Sequence, residues 1–302
     1  MTSLSIKQKA QQYVVLTGMA FFIGLLVGAI DMIFGQGLLL IGDFRSQHWP
    51  LILFLALAGL VIVYLYKRFG GKASKGMGLI FDVGHAREEK IPLVLVPLIM
   101  LTTWMSHLFG GSVGREGVAV QIGATLSHRF ARYIKIPDAS RIFLMTGMAA
   151  GFAGLFQTPL AATFFALEVL TVGELQLIAL YPALIASIVA SFTSHALGLE
   201  KFAVPLRETL SWTPETLIKV ALLGLAFGLA GKLFAVSLSW LKKTVAQVLP
   251  NPYIRIAFIG AGLSLVLLTL QLTKVGTYSG LGTNLIDVAF HQGRAQSYDW
   301  IL

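Results

Sequence analysis

Long apolar runs separated by short polar or basic segments set the pattern of this chain. Residues 1–12 form a polar, basic tail, and Tyr13 to Ile41 is one apolar run that predicts a first helix. Gly18, Gly24 and Gly28 along it are expected as contacts, because small residues let membrane helices approach closely. Gly42 to Trp49 reads as a short polar loop, and Pro50 to Tyr66 as the helix that returns. A Lys- and Arg-rich loop from Lys67 to Lys90 precedes the next predicted helix, Ile91 to His107. After a glycine-rich break, Val118 to Ala124 resumes a helical apolar run. Pro137-Asp138 marks another helix start, with Asp138 as its cap. Phe143 to Leu170 is too long for one simple span, and Gly147, Gly151, Gly154 and Pro159 divide it into two. Leu175 to Leu197 is a further span, followed by a polar connection from Glu200 to Ser211. Thr213-Pro214-Glu215 then gives a start signal, with Thr213 as N-cap and Pro214 at the first helical position. Leu217 to Leu241 predicts a long helix ending at Lys242-Lys243, and Ile254 to Leu272 predicts one more.

Composition turns this pattern into a class. Of 302 residues, 56% are apolar and 12% charged, against roughly 45–50% and ~25% in a soluble domain. Runs of the ~20 residues needed to cross a bilayer recur along the whole length, so residues 1–302 read as one multi-pass membrane domain embedded in lipid, with no soluble domain. The first run far exceeds the ~7–15 apolar residues of a cleavable signal and is expected to be retained. Net charge is +9, and the basic residues cluster between apolar runs, as in Lys67-Arg68, Lys72, Lys75, Arg87 and Lys90. The positive-inside bias accounts for that clustering and places this loop and the N-terminus in the cytoplasm. A nucleic-acid partner would leave a basic face or stripe on a binding fold, and none is visible. The absence of cysteine excludes disulfides and thiolate metal sites and leaves the redox compartment open. The six histidines have no HExxH-like spacing, so a metalloenzyme has no support.

The stretch with the most chemistry is Gly110 to Thr125, where Arg115 and Glu116 stand back to back among apolar neighbours. Gly110, Gly111, Gly114 and Gly117 permit close-packed, non-helical backbone, which puts Glu116 at or just before a helix N-terminus. That end carries unsatisfied N–H groups and partial positive charge, which suit an anion. An ionised Glu116 would compete for such a site and a protonated one would vacate it, which couples protons to anions. Adjacent residues in an extended segment point apart, so a permanent Arg115–Glu116 pair is not expected. Gly76-Met77-Gly78-Leu79-Ile80-Phe81 is a second break, two glycines around one side chain opening a helix. Asp31 falls inside the first run, and an acid there is a functional candidate, although the run is long enough for it to lie near the outer end. Gly110-Gly111-Ser112-Val113-Gly114 also fits the G-x-S-x-G nucleophile elbow, with His107 nearby, as an intramembrane serine hydrolase would have it. The elbow needs a preceding strand, and Ile91 to His107 reads as a helix. A non-transporting scaffold is the other alternative class.

Gly114-Arg115-Glu116-Gly117-Val118, followed by Val120-Gln121-Ile122-Gly123, resembles the GREGP signature of the CLC anion channels and transporters. Gly147-Met148-Ala149-Ala150-Gly151, Phe156 to Ala161 and Phe165-Ala166-Leu167-Glu168 fit that family's next helices in order. The resemblance implies an all-α integral membrane protein, built as an inverted repeat of broken and tilted helices. Residues 13–197 would form the first repeat and 213–302 a partial second. It also implies that Glu116 gates the anion path and carries protons. In the family a GSGIP serine helps hold chloride; Met77 stands at that position, and a thioether has no hydrogen-bond donor. Met77, together with Val118 where most members have proline, resembles the fluoride-specific clade of proton antiporters. The implied activity is export of fluoride in exchange for protons by a homodimer in the cell membrane, with no enzymatic step and no cofactor. A chloride/proton antiporter or chloride channel is the runner-up.

On this reading Met77, Gly78, Phe81, Gly114, Arg115, Glu116, Gly117, Val118 and Thr283 line the anion path, Phe81 through its positive ring edge and Thr283 through its hydroxyl. The glycine-rich Val275 to Thr283 loop offers carbonyls that could hold a sodium ion. Val169 falls at the position of the family's inner proton glutamate and Glu168 one residue earlier, which implies a structural role for Glu168 and another route for protons. Tyr278 to Asn284 resembles the short helix before the second half-pore, while the GxFxP motif and inner tyrosine are missing. The chain is therefore expected to be a fragment, or else unable to build a complete path alone.

Overall fold

The computed structural model describes residues 6–171, 173–200, 211–272 and 279–282, and among them there are helices and no strand. The helices are α1 (Ile6–Gln47), α2 (Leu55–Leu65), α3 (Met77–Gly84), α4 (Leu95–Leu108), α5 (Glu116–Ala131), α6 (Ala139–Phe156), α7 (Pro159–Glu168), α8 (Leu180–Ala196), α9 (Pro214–Val248) and α10 (Pro252–Leu272). Short 3-10 or π turns connect several of them. Six helical segments of the described residues are long and apolar enough to cross a bilayer: Ala10–Gln47, Trp49–Gly84, Ala139–Phe156, Leu177–Ala196, Pro214–Val248 and Pro252–Leu272.

Helix α6 is the hub. It packs on α5, α8, α1 and α7, while α1 also lies along α8 and α10 lies along α2. The centre of the main core is made by Leu79, Ile80, Leu95, Ile122, Leu144, Met145, Met148 and Leu167, each fully buried. A second cluster around Ile23, Val27, Phe143 and Ala186 seals α1 against α6 and α8. In a bilayer, apolar area alone cannot drive helices together, so close backbone approach and interhelical hydrogen bonds must do so. Both are present between α5 and α6. A side chain at Gly123 would land on the Gly147 carbonyl, one at Gly147 on the Gly123 carbonyl, and one at Gly151 on the Ala119 carbonyl. Ser127 donates to the Phe143 carbonyl at 2.5 Å across the same seam. Gly24 and Gly28 of α1 lie against Ala186, Val189, Ala190 and Thr193 of α8, as their spacing predicts.

Several boundaries differ from the sequence reading, for physical reasons. Helix α1 takes in residues from Ile6 and runs on to Gln47, because Lys, Gln and Ala in its first turns are good helix formers despite their polarity. The return helix opens as a 3-10 segment, Trp49–Phe54, with Pro50 in its first turn. Helix α4 starts at Leu95 rather than Ile91, beyond Pro92, which biases the residue before it away from helix. Gly147, Gly151 and Gly154 do not divide the 143–170 run; they are contact points, and the chain breaks at Gln157, whose φ is 53°. Asp138 does occupy the N-cap position of α6, but in a left-handed conformation with no capping hydrogen bond from its side chain. Thr213 caps α9 as expected, accepting the Thr216 N–H at 3.2 Å. That helix passes straight through Lys242-Lys243 to Val248. Gly18 meets nothing. Asp31 is not near an end of its helix: it is wholly buried, both carboxylate oxygens lack a partner among the described residues, and it lies against Gly154 of α6.

The α5–α6 seam generates a test. Gly123→Val should destabilise the purified protein by about 3 kcal/mol or more, the upper range for overpacking, because the clash is with backbone. Gly18→Val should leave thermal unfolding and monodispersity in detergent unchanged.

Candidate functional site

Two helix starts converge where the sequence places its two glycine-rich breaks. Helix α3 is entered through Gly76, with φ 54° and ψ −128°, a conformation that costs glycine little and other residues much. Met77 and Gly78 then form its first turn, where backbone N–H groups have no helical acceptor. Met77 and Phe81 are half-buried and pack on the main core, while Gly78 is exposed with open space around it.

The second start is that of α5. Gly110, at φ 87°, turns the chain out of α4, and the Gly111 N–H bonds the Ser106 carbonyl at 2.8 Å. The segment then runs without regular structure through Gly114, and α5 begins at Glu116 with Arg115 as N-cap. The Ala119 N–H reaches the Arg115 carbonyl at 3.1 Å, so the N–H groups of Glu116, Gly117 and Val118 precede the first helical bond. Glu116 is exposed and makes no ion pair among the described residues. Its carboxylate curls back over Gly114, where an added Cβ would stand 2.9 Å from Oε2. Arg115 points elsewhere, its guanidinium over the Phe156 ring at 5.1 Å from the centroid. The two adjacent charges thus diverge.

Gln121 is the side chain that joins these starts, and composition or spacing did not single it out. It is 6% exposed, and its Nε2 donates to the Gly117 carbonyl at 2.9 Å. Its Oε1 has no partner among the described residues and would sit 3.5 Å from a Cβ on Gly76. Such an amide lies between α3 and α5, which are in contact. A buried, half-satisfied amide at the junction of two motifs is a signal that only the fold exposes.

The remaining predicted positions divide. Gly114 is exposed and Gly117 half-buried beside Glu116, whereas Val118 is 6% exposed and belongs to the core. Thr283 lies outside the described residues, as does most of the Val275 to Thr283 loop suggested for sodium. No group of three or more His, Asp or Glu able to hold a metal occurs among the described residues. Glu168 is exposed at the end of α7, and Val169 packs on the core. The hydrolase alternative loses its geometry: a helix precedes Gly110, and Ser112 accepts a hydrogen bond from the Gly280 N–H at 3.1 Å. A cavity of about 350 Å3 opens near this site between the ends of α1, α4 and α10, and Glu116 does not line it.

Comparison with known proteins agrees with this geometry. The profile of the family described as voltage gated chloride channel matches residues 58–299. A protein of Pseudomonas syringae pv. tomato described as a chloride/fluoride channel protein is 33% identical over 289 residues, 94% of this chain and 63% of its own length. The chain thus spans less than two thirds of that relative. The crystal structure of a CLC-type fluoride/proton antiporter superposes with a TM-score of 0.89 at 44% identity, covering 99% of this chain and 74% of that one. A slow cyanobacterial Cl−/H+ antiporter shares the fold at 22% identity, with a TM-score of 0.73 over 93% of this chain and 68% of its own. The chain is a multi-pass membrane protein that belongs to the voltage-gated chloride channel, or CLC, family.

Proposed function

We propose that the protein exchanges fluoride for protons across the cell membrane, with Glu116 as the group that alternates between the anion site and a bound proton. The observation that carries this reading is the convergence of two helix starts, one presenting Met77 and the other Glu116, with no ion partner on Glu116 among the described residues. Unsatisfied N–H groups at both starts attract a small anion. A carboxylate at the same place competes with that anion while charged and yields to it once protonated. Met77 supplies no hydroxyl donor, which removes the contact that would favour chloride. The two relatives described in terms of fluoride, the Pseudomonas protein and the CLC-type fluoride/proton antiporter, support the choice of substrate.

Gly78, Gly114 and Gly117 keep the backbone accessible to the anion on this reading, Arg115 adds positive potential, Phe81 and Val118 wall the path, and Thr283 contributes a hydroxyl. Residues 13–197 act as the first inverted repeat and 213–302 as part of the second. Two copies form a dimer with one path each, and the N-terminus faces the cytoplasm with the basic loops at Lys67–Lys90 and Arg129–Arg141. The second reading, a chloride antiporter or channel, is favoured by the family's description as voltage gated chloride channel and by the Pseudomonas relative, described as a chloride/fluoride channel protein.

Efflux from liposomes containing the purified protein separates the two. Fluoride should leave faster than chloride; equal rates, or chloride preferred, would end the fluoride reading. Glu116→Gln should cut proton-coupled fluoride movement by about 10²-fold or more, the scale of losing a positioned proton carrier, while the protein stays monodisperse. Met77→Ser restores a donor and should shift the fluoride-to-chloride rate ratio toward chloride by about tenfold, as expected for one hydrogen bond to a charged group. For orientation, the natural lack of cysteine gives a clean background. A single cysteine at Lys135 should react with an impermeant maleimide in cells only after the membrane is permeabilised.

A further inference from the structure

The turn between α5 and α6 concentrates positive charge that the central site does not use. Arg129, Arg132, Lys135 and Arg141 fall within residues 129–141, with Asp138 as the one acid among them. Arg129, Arg132 and Lys135 are exposed and Arg141 is half-buried. None of the four, nor Asp138, makes an ion pair among the described residues. The Lys67–Lys90 loop is built differently. It carries Asp82, Glu88 and Glu89 beside its basic residues, and Lys72 pairs with Glu88 at 2.5 Å while Lys75 reaches Asp82 at 2.9 Å and Glu88 at 3.4 Å. Part of that loop's charge is answered within the protein, and that of the α5–α6 turn is not.

The turn is also held at a definite depth. The Phe130 ring meets Phe22 of α1 edge to face, 5.5 Å between centroids, and Ile134 and Ile136 pack on the same buried cluster as Leu16 and Met19. Those α1 residues belong to the apolar run that starts at Tyr13. The cations therefore stand level with the first turns of a membrane span, where the hydrocarbon gives way to phospholipid head groups. Their backbone is fixed, with the Tyr133 N–H on the Phe130 carbonyl at 3.0 Å and the Ile134 N–H on the Ala131 carbonyl at 3.3 Å. Beside them α1 exposes Tyr13, Val14, Phe21 and Phe22. The positive-inside bias and the pull of a helix C-terminus explain why basic residues gather here. Neither calls for cations without acids next to exposed apolar side chains. That combination matches one ligand chemistry, a charged phosphate that carries acyl chains.

We infer that the α5–α6 turn binds the head group of an anionic phospholipid, its phosphate taken by Arg129, Arg132 and Lys135 and its acyl chains laid against the exposed face of α1 at Phe22. Long basic side chains reach a phosphate while their stems rest on apolar surface, and a guanidinium meets phosphate oxygens in pairs. Arg132 is already steadied by the Tyr133 ring, 4.6 Å from its centroid. The site depends neither on which anion is transported nor on the role of Glu116.

The test counts lipids on the purified protein by native mass spectrometry, with dioleoylphosphatidylglycerol as probe and zwitterionic dioleoylphosphatidylcholine as its counterpart. Phosphatidylglycerol should bind more tightly, and its binding should weaken as salt is raised from about 0.05 to about 0.5 M, where screening shortens the reach of exposed charges. Arg132→Gln and Lys135→Gln should each weaken it about fivefold, the contribution of one basic residue at an anionic surface. Lys135→Arg should leave it unchanged. So should Lys242→Gln combined with Lys243→Gln, which removes two exposed charges from α9. Inorganic phosphate at the same concentration as the lipid should not displace it, because phosphate has no acyl chains to bury. Should Arg132→Gln fail to give monodisperse protein, the exposed and unpaired Lys135 decides alone. Equal binding of the two lipids, or unaltered binding in Lys135→Gln, overturns the site. Equal loss in the α9 variant reduces it to net charge, and displacement by phosphate removes the lipid as its occupant; either result also overturns the proposal.

Discussion

The placement of Glu116 depends on a contact between two backbones. Helices α5 and α6 approach so closely at Gly123, Gly147 and Gly151 that carbonyl oxygens occupy the space any side chain would need. Ser127 ties the same seam to the Phe143 carbonyl. Helix α6 is itself held by α1, α7 and α8, so α5 can neither slide nor rotate without breaking several such contacts. With a rise of about 1.5 Å per residue, Gly123 fixes the start of α5 roughly 10 Å away. The Glu116 carboxylate is exposed, but the helix that carries it is anchored by close backbone contacts to α6.

That anchoring matters because the proposed site is made mostly of backbone. At the starts of α3 and α5, N–H groups that no helical carbonyl reaches supply the positive potential, and glycines keep them uncovered. Side chains act by what they withhold. Met77 brings no hydroxyl, Arg115 turns to the Phe156 ring, and Gln121 spends its donor on Gly117 and leaves an acceptor without a partner among the described residues. Glu116 is left with no ion pair among the described residues. On the proposed reading, a site of this kind would distinguish a charged carboxylate from a neutral one with little need for rearrangement elsewhere.

The helical, membrane-spanning class and both breaks were legible in the sequence, because long apolar runs and paired glycines are local signals. Glu116 starts its helix where the glycine pattern puts it, and Met77 likewise. The interior glycines were half legible. Their small size was visible, but whether they break a helix or let one pack depends on a partner remote in sequence, so Gly147 and Gly151 read as breaks and proved to be contacts. Polar helix ends were missed for a related reason, since Lys7 and Lys9 at one end and Arg45 at the other look like loop by polarity and are helical by propensity. Gln121 became notable only in three dimensions, and Asp31, a candidate from its place in an apolar run, showed its full burial only there. An acid or amide in a sequence carries no mark of being buried without a partner.

The most direct measurement of the central claim is proton movement driven by fluoride. In liposomes holding the reconstituted protein, an outward fluoride gradient with no proton gradient should acidify the interior as protons enter against the fluoride that leaves, and replacing Glu116 with glutamine should remove that acidification. Fluoride efflux at full rate with no internal pH change, or acidification that survives without the Glu116 carboxylate, would contradict a carboxylate that trades places with the anion.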